Sequence, residues 1–233
     1  MSEAEGLSFV DDLRRVATAT DVNHVLSILE RCAARSIEWA SRRGLQFDTA
    51  KTKAALSTCR RGNREHFRLK LTAQIRLCRG VIQFNTQATC WLGVWMEAHL
   101  TFKQQCNRCM KIARAAEARL RTLTMTYGIV PESVGAVQVA CVQAVALYGS
   151  ELSWNPKEPG RRDVLQLLLN GQARFIMGAL PTTPRGAIMR KSGLTPASVD
   201  LDSRKQRFAA RLADACSGEL KELHQNCSSG API

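Results

Sequence analysis

One stretch in the middle of the chain is compatible with a single kind of regular structure. Apolar residues recur between residues 100 and 127 at steps of 4, 3, 4, 3, 4 and 3. This spacing places side chains along one side of an α-helix and does not fit the alternation of a strand. We therefore predict a long helix whose apolar stripe packs into a core. The stripe consists of Phe102, Cys106, Cys109, Ala113, Ala116, Leu120 and Leu123.

The other side of this predicted helix is strongly positive, and Glu117 is the only acidic residue in the span. The whole chain has 33 Lys and Arg against 20 Asp and Glu, a formal net charge of +13. Such an excess indicates a polyanionic partner, with nucleic acid ahead of an acidic membrane surface. A solvated helix face is the structural alternative. The cationic residues are Lys103, Arg108, Lys111, Arg114, Arg119 and Arg121.

The remaining patterns predict a chain of mixed character. Strands at 7–10 and 13–17 precede a helix that Thr20 or Asp21 can cap and Gly44 can end. After residue 100 the patterns are helical, with one helix beginning at Pro131 and others at 161–180 and 203–216. Further strands are predicted at 45–48, 53–58, 67–71, 80–84 and 90–96, with a basic turn at 59–66.

Asp11 and Asp12 are adjacent carboxylates between the first two predicted strands. Because like charges repel, the pair calls for a physical reason. One reason is a divalent metal ion held at a tight turn, since carboxylate oxygens are the natural ligands of magnesium. The alternative is a polar turn or a helix start. The residues themselves leave both interpretations open.

Nine scattered cysteines, an odd number, predict reduced thiols in an intracellular protein; nucleus and cytoplasm are not distinguished. Cys106 and Cys109 have the spacing of half a zinc site. Because no second pair accompanies them and both lie on the apolar stripe, we interpret them as core residues, with zinc as the alternative. The four histidines share no spacing that indicates a ligand or base. No apolar run reaches about 18 residues, which predicts no membrane span.

Residues 7–12, Leu-Ser-Phe-Val-Asp-Asp, resemble the aromatic-x-Asp-Asp signature of reverse transcriptases. A helix follows, then GLQFDTAKTKAAL, then TCWLGVWMEAHLTFKQQC. This order is similar to the palm and thumb of reverse transcriptases from non-long-terminal-repeat (LINE-type) retrotransposons. VALYGSELSW and SGLTPA also look like the region beyond the thumb in these elements, so the resemblance covers nearly the whole chain.

The resemblance implies an α+β fold: a partial reverse-transcriptase palm, made of a short antiparallel sheet with a packed helix, followed by an all-helical thumb. The implied domains are residues 1–98 for the palm and primer-grip hairpin, 99–180 for the thumb, and 181–233 for a helical segment and tail. The activity implied is RNA-directed DNA polymerisation by two-metal nucleotidyl transfer.

The resemblance also assigns roles to particular residues. Asp11 and Asp12 match the metal-binding pair, with Asp11 as the more direct ligand. Lys51 matches the Lys of a Lys-Thr segment that lies near the leaving pyrophosphate and can protonate it. The primer-grip hairpin corresponds to Trp91, Leu92 and Gly93, and the cationic residues of the long helix would lie along the template–primer duplex.

The chain departs from the family in one respect. The family places a further metal-binding Asp and the fingers upstream of the Asp pair, whereas ten residues precede Asp11 here. We therefore expect a C-terminal palm and thumb fragment that is inactive alone, and whether it acts as an enzyme stays open. Mg²⁺, or Mn²⁺, would bind only if the upstream palm is supplied, and no small-molecule cofactor is expected.

The expected partner is a duplex of RNA template and DNA primer, and self-association through an open sheet edge is a further expectation. The alternative function is that of a non-enzymatic, basic nucleic-acid-binding remnant.

Overall fold

The computed structural model describes residues 5–19, 21–48, 51–57, 74–77, 80–85, 88–156 and 159–215. These residues form a mixed α+β structure, which confirms the predicted fold class at that level. The chain divides into two compact units, Met1–Thr101 and Phe102–Ile233. All described strands belong to the first unit, and the described part of the second unit is helical.

The first unit begins with a β-hairpin and a helix. Strands β1 (Glu5–Phe9) and β2 (Asp12–Val16) pair antiparallel, with Glu5 opposite Val16 and Phe9 opposite Asp12. Helix α1 (Val22–Ser41) follows. Asp21, one of the two predicted caps, is the N-cap, because its carboxylate accepts a hydrogen bond from the backbone N–H of His24 at 3.2 Å; the helix ends three residues before the predicted Gly44.

A second hairpin packs against α1. Strands β3 (Gln74–Leu77) and β4 (Gly80–Gln83) pair antiparallel, and Ile75, Phe84 and Ala54 form a small buried cluster with apolar side chains of α1 around it. The Glu30 carboxylate of α1 accepts the backbone N–H of Arg76 at 2.9 Å, which fixes the helix against the strand.

A third hairpin consists of β5 (Thr89–Trp91) and β6 (Val94–Met96). Each hairpin is a separate two-stranded antiparallel sheet within the described part of the chain. The outer edge of β1 therefore pairs with no other described strand, which agrees with the predicted open edge.

Several predicted strands differ from the structure. Residues 45–48 are exposed and form no strand, and residues 53–57 contribute only an isolated bridge between Ala54 and Phe84. Strand β3 was not predicted. The predicted strand at 67–71 and the basic turn at 59–66 lie outside the described residues. Alternation alone did not distinguish these exposed segments from strands, because a strand also needs a partner to pair with.

The second unit is a succession of helices. Helix α2 (Lys103–Tyr127) corresponds to the long predicted helix and ends at Gly128, whose φ of 64° is the left-handed conformation usual after a helix. The following elements are α3 (Pro131–Val137), a π-helix (Gln138–Gln143), α4 (Ala144–Ala146), α5 (Ser150–Ser153), α6 (Pro159–Met177), α7 (Arg185–Ser192) and α8 (Ala197–Ala215).

Two apolar clusters form the core of the second unit. The large cluster contains Met110, Ala113, Val142, Leu147, Trp154, Leu165, Leu168, Leu169, Ala197 and Leu201. The small cluster contains Val134, Ala173, Ile176, Ile188 and Leu194. Both clusters take residues from the segment 131–143 and from α6, so these two segments span the core.

The predicted stripe of α2 is confirmed over most of its length. Cys109, Ala113 and Leu120 are buried, whereas Leu123 at the end of the stripe is about half exposed (49%). Helix α7 was not predicted, and α8 begins earlier than the predicted start at 203. The predicted helix from Pro131 is interrupted by the π-helix, a feature that apolar periodicity does not indicate.

Trp154 connects α8 to the rest of the second unit. Its indole Nε1–H donates to the Asp202 carboxylate at 2.8 Å, and Lys205 donates to its carbonyl at 3.3 Å. The side chain is 6% exposed. Helix α8 is therefore attached through polar bonds as well as through Ala197 and Leu201 of the large cluster.

Candidate metal and nucleic-acid sites

The Asp pair lies at the tip of the first hairpin. Because Phe9 is opposite Asp12, the loop consists of two residues, Val10 and Asp11. Both carboxylates are exposed, and Val10 is 91% exposed. The structure thus presents the two aspartates at a tight turn between strands, which is the local geometry that the sequence predicted.

Val10 is strained at this turn. Its φ is 54°, in the left-handed region, and it is the only one of the two loop residues with positive φ. A β-branched residue is a clear outlier in that region. A two-residue hairpin loop with positive φ only at its first residue is a type II′ turn, which prefers glycine at that first position. Strain of this kind costs about 1–3 kcal/mol.

Val10→Gly is expected to stabilise the first hairpin by about 1 kcal/mol, because glycine adopts positive φ without the clash of a branched Cβ. Hydrogen exchange of the β1 and β2 amides measures this, and we expect about fivefold slower exchange. Val81→Gly is the matched control: Val81 is an exposed β4 residue without positive φ, so glycine there should destabilise its hairpin. Faster exchange in β1 and β2 of Val10→Gly would contradict the strain argument.

The third hairpin contains the predicted primer-grip residues in its turn. Trp91 is opposite Val94, and the loop residues Leu92 and Gly93 have φ of 47° and 77°. Two successive positive φ values characterise a type I′ turn, whose twist matches that of the strands. Trp91 shares one face of the hairpin with Met96, because side chains alternate along each strand.

Arg14 joins the first hairpin to the third. Its guanidinium carbon lies 4.8 Å from the centre of the Trp91 ring, and its Nη1 lies 3.5 Å from the Met96 sulfur. Partial burial lowers the pKa of the Arg14 guanidinium from its ordinary value. Arg14 is two residues after Asp12, so both side chains lie on the same face of β2. Through Arg14, strand β2, which begins with Asp12, is therefore in contact with the third hairpin.

Arg15, on the opposite face of β2, contacts α1. Its Nη2 donates to the Ser36 hydroxyl at 3.3 Å. Sequence reasoning missed both arginines as positioning residues. Their positions in the predicted strand could have indicated this role. Consecutive side chains of a strand point to opposite faces, so Arg14 and Arg15 contact two different neighbours.

Lys51 lies on a turn of its own. Its ammonium is 3.5 Å from the Asp48 carboxylate, and its side chain is 87% exposed. The same turn is held by the backbone N–H of Lys51, which donates to the Asp48 carbonyl at 3.2 Å. The observed partner of Lys51 is therefore Asp48.

The Asp pair is the candidate for metal binding that the sequence predicted. Within the described ranges, no group of three or more His, Cys, Asp or Glu side chains is arranged to hold a metal ion. Two exposed carboxylates at one turn have the right donor chemistry for Mg²⁺ or Mn²⁺, which bind oxygen ligands. A complete site would need further ligands.

In the second unit, α2 presents the predicted cationic face. Lys103, Arg108, Lys111, Arg114 and Arg119 are all exposed on this helix. Lys111 and Arg119 are separated by eight residues, or about 12 Å along the helix axis. A row of exposed cations at this scale suits the repeating phosphates of a nucleic-acid backbone.

Arg121 differs from the other cations of α2. Its guanidinium is 2.7 Å from the carboxylate of buried Glu117 and 3.3 Å from the Gly171 carbonyl. It also lies over the Phe175 ring, 5.0 Å from the ring centre. Arg121 therefore packs between α2 and α6 through these contacts, while its side chain stays 44% exposed on the cationic face.

The Cys-x-x-Cys pair faces the segment at 148–153. The Cys109 thiol is buried and 3.7 Å from the Tyr148 carbonyl, and the Cys106 sulfur is 3.8 Å from the Ser153 hydroxyl. Burial raises the pKa of the Cys109 thiol above its ordinary value, and neighbouring Cys106 adds to the shift. A buried, protonated thiol agrees with the core interpretation of Cys109, whereas Cys106 is only half-buried.

Comparisons with family models, curated proteins and solved structures gave no match for this chain. None of the described helices is long and apolar enough to cross a membrane.

Proposed function

We propose that this chain is part of an RNA-directed DNA polymerase of the non-long-terminal-repeat retrotransposon type, comprising the end of the palm, a primer-grip hairpin and a helical thumb. The observation that carries the proposal is the contact of Arg14 with Trp91 and Met96, which joins two hairpins up to 82 residues apart in sequence. A polymerase has to hold the primer end beside its metal ligands. The contact of the third hairpin with Arg14, two residues after Asp12 on β2, supports that function.

In this proposal Asp11 and Asp12 bind Mg²⁺, with Mn²⁺ as a substitute. Bound metal ions would activate the primer hydroxyl and stabilise the leaving oxygens. The chain's own residues position the pair: Asp11 lies in the two-residue loop, Asp12 is the first residue of β2, and Arg14 anchors that strand. A further carboxylate from outside the described residues completes the ligand set. Lys51 enters only through the resemblance, as the acid that protonates pyrophosphate.

The exposed cations of α2 would bind the phosphates of the RNA–DNA duplex in the thumb. Contacts of this kind carry no base code and therefore suit an enzyme that copies any sequence. The same cations also favour a second candidate function, a non-enzymatic nucleic-acid-binding protein, because they lie in a unit that does not contain the Asp pair.

Primer extension tests the first proposal. The purified chain is mixed with an RNA template annealed to a DNA primer, deoxynucleotides, and Mg²⁺ or Mn²⁺. We expect duplex binding without extension, because the ligand set is incomplete. Extension that disappears in Asp11→Ala but persists in the Asp163→Ala control would establish polymerase activity and overturn the expected inactivity. Absence of duplex binding would contradict both candidate functions.

A double-mutant cycle tests the joint between the hairpins. Arg14→Ala and Trp91→Ala should each loosen the first hairpin, with a coupling energy of about 0.5–1 kcal/mol for the cation–π contact. Hydrogen exchange of the β1 and β2 amides measures the effect. The matched control is the contact between Arg43, just after α1, and Trp39, within α1. The guanidinium carbon of Arg43 lies 4.4 Å from the centre of the Trp39 ring. Trp39→Ala should leave exchange in β1 and β2 unchanged. Equal exchange rates of these amides in Trp39→Ala and Trp91→Ala would contradict the contact between the first and third hairpins.

A further inference from the structure

Two glutamines in the core of the second unit have side-chain amides that lack protein partners. Gln138 and Gln172 are both 0% exposed. Among the described residues, nothing accepts from or donates to either amide atom of Gln138, and nothing accepts from Nε2 of Gln172. Buried polar groups in native proteins are almost always hydrogen-bonded to protein or to ordered water. These three atoms therefore point to a bound molecule.

The assignment of the amide atoms does not change this conclusion. Exchanging the oxygen and nitrogen of Gln138 leaves one donor and one acceptor without a partner, as before. Gln172 bonds to the Gln143 amide at 3.2 Å through one of its two amide atoms, and its other amide atom lacks a partner whichever way the pair is oriented. As oriented in the structure, the unmatched atoms are the Nε2 donors of Gln138 and Gln172 and the Oε1 acceptor of Gln138.

The π-helix explains how the glutamines gather on one side. Gln138 and Gln143 are five residues apart, and both are buried. In an α-helix, five residues correspond to a rotation of about 140°, which would send one side chain outward. The wider turn of a π-helix, with its i to i+5 hydrogen bonds, brings such residues nearly above one another. The π-helix therefore turns both amides inward.

In sequence, both unmatched glutamines lie between residues of the two apolar clusters. Gln138 follows Val134 of the small cluster and precedes Val142 of the large cluster. On α6, Gln172 lies between Leu169 of the large cluster and Ala173 of the small cluster. The hydrogen bond between Gln143 and Gln172 connects the two segments at this level. The π-helix that carries Gln138 is therefore bonded to α6 beside Gln172.

We infer that the unmatched amides of Gln138 and Gln172 share an internal water site. A water molecule accepts from two donors and donates to acceptors, and buried waters make about three hydrogen bonds to groups of this kind. Two amide donors and one acceptor match that set. The π-helix is the element that builds the site. This inference concerns the helical unit alone and does not depend on the proposed polymerase function.

Water-to-amide nuclear Overhauser measurements on the isotope-labelled full chain test the site. We expect cross-peaks between a long-lived water and the side-chain amide protons of both Gln138 and Gln172. Gln138→Leu should abolish the water cross-peaks of Gln172, because the apolar side chain removes two of the three partners. Gln206→Leu, at an exposed position of α8, is the matched control and should leave them intact.

Two results would overturn the inference. One is the absence of water cross-peaks at Gln172 in the unaltered chain. The other is their persistence in Gln138→Leu, which would show that the two amides do not share the water. If Gln138→Leu does not fold, Gln138→Met supplies an unbranched apolar replacement, and the measurement on the unaltered chain remains decisive.

Discussion

Replacing Lys111, Arg114 and Arg119 by alanine is expected to weaken binding of an RNA–DNA duplex by about 10²–10³-fold at 0.1 M salt. Each phosphate contact releases counterions and contributes roughly tenfold at that salt concentration. The slope of log K against log salt should also become shallower by about 0.9 for each phosphate that is no longer neutralised. All three side chains are exposed on α2, so their removal should leave the fold intact.

A charge-matched variant separates this prediction from a general effect of net charge. Arg31, Arg35 and Arg42 are exposed arginines on or beside α1, and their replacement by alanine removes the same three charges. We expect a much smaller loss of affinity and a nearly unchanged salt slope. Fluorescence anisotropy of a labelled duplex at several salt concentrations measures both quantities. Equal losses in the two triple variants would show that α2 is not the binding face.

Leu169→Ala is expected to lower the free energy of unfolding of the helical unit by about 2–5 kcal/mol. Leu169 is 2% exposed in the large cluster, and truncating a buried leucine loses transfer free energy and leaves a cavity. Urea unfolding followed by far-ultraviolet circular dichroism measures the change.

The control for this variant lies two residues earlier in the same helix. Leu167 is 59% exposed, so Leu167→Ala should change stability by no more than about 0.5 kcal/mol. A similar cost for both substitutions would contradict the placement of the core against this face of α6.

The sequence predicted those features whose cause is local. The steps of the α2 stripe, the cap at Asp21 and the turn at Asp11 each depend on neighbouring residues, and the structure contains all three. The α+β class followed from the contrast between the two halves of the chain. Residues 45–48 were mistaken for a strand because local alternation does not reveal whether a pairing partner exists.

Features that depend on distant contacts were not predictable in the same way. Arg14 has no special sequence signature, and its role follows only from its distance to Trp91. Helical spacing predicted Arg121 as a cation of α2 but did not show that α6 also offers it a carbonyl and an aromatic ring. The π-helix has a wider turn than the helix around it. An apolar pattern that is analysed with the α-helical period of 3.6 residues does not predict it.

The burial of Trp154 provides an optical signal for the attachment of α8. The other three tryptophans, Trp39, Trp91 and Trp95, lie in the first unit and are all more exposed. Trp154 has both an apolar surrounding and a hydrogen bond to Asp202. Detachment of α8 would move this indole into water and shift its emission to longer wavelength. Fluorescence of the intact chain can therefore follow the release of a single helix in real time, without any added label.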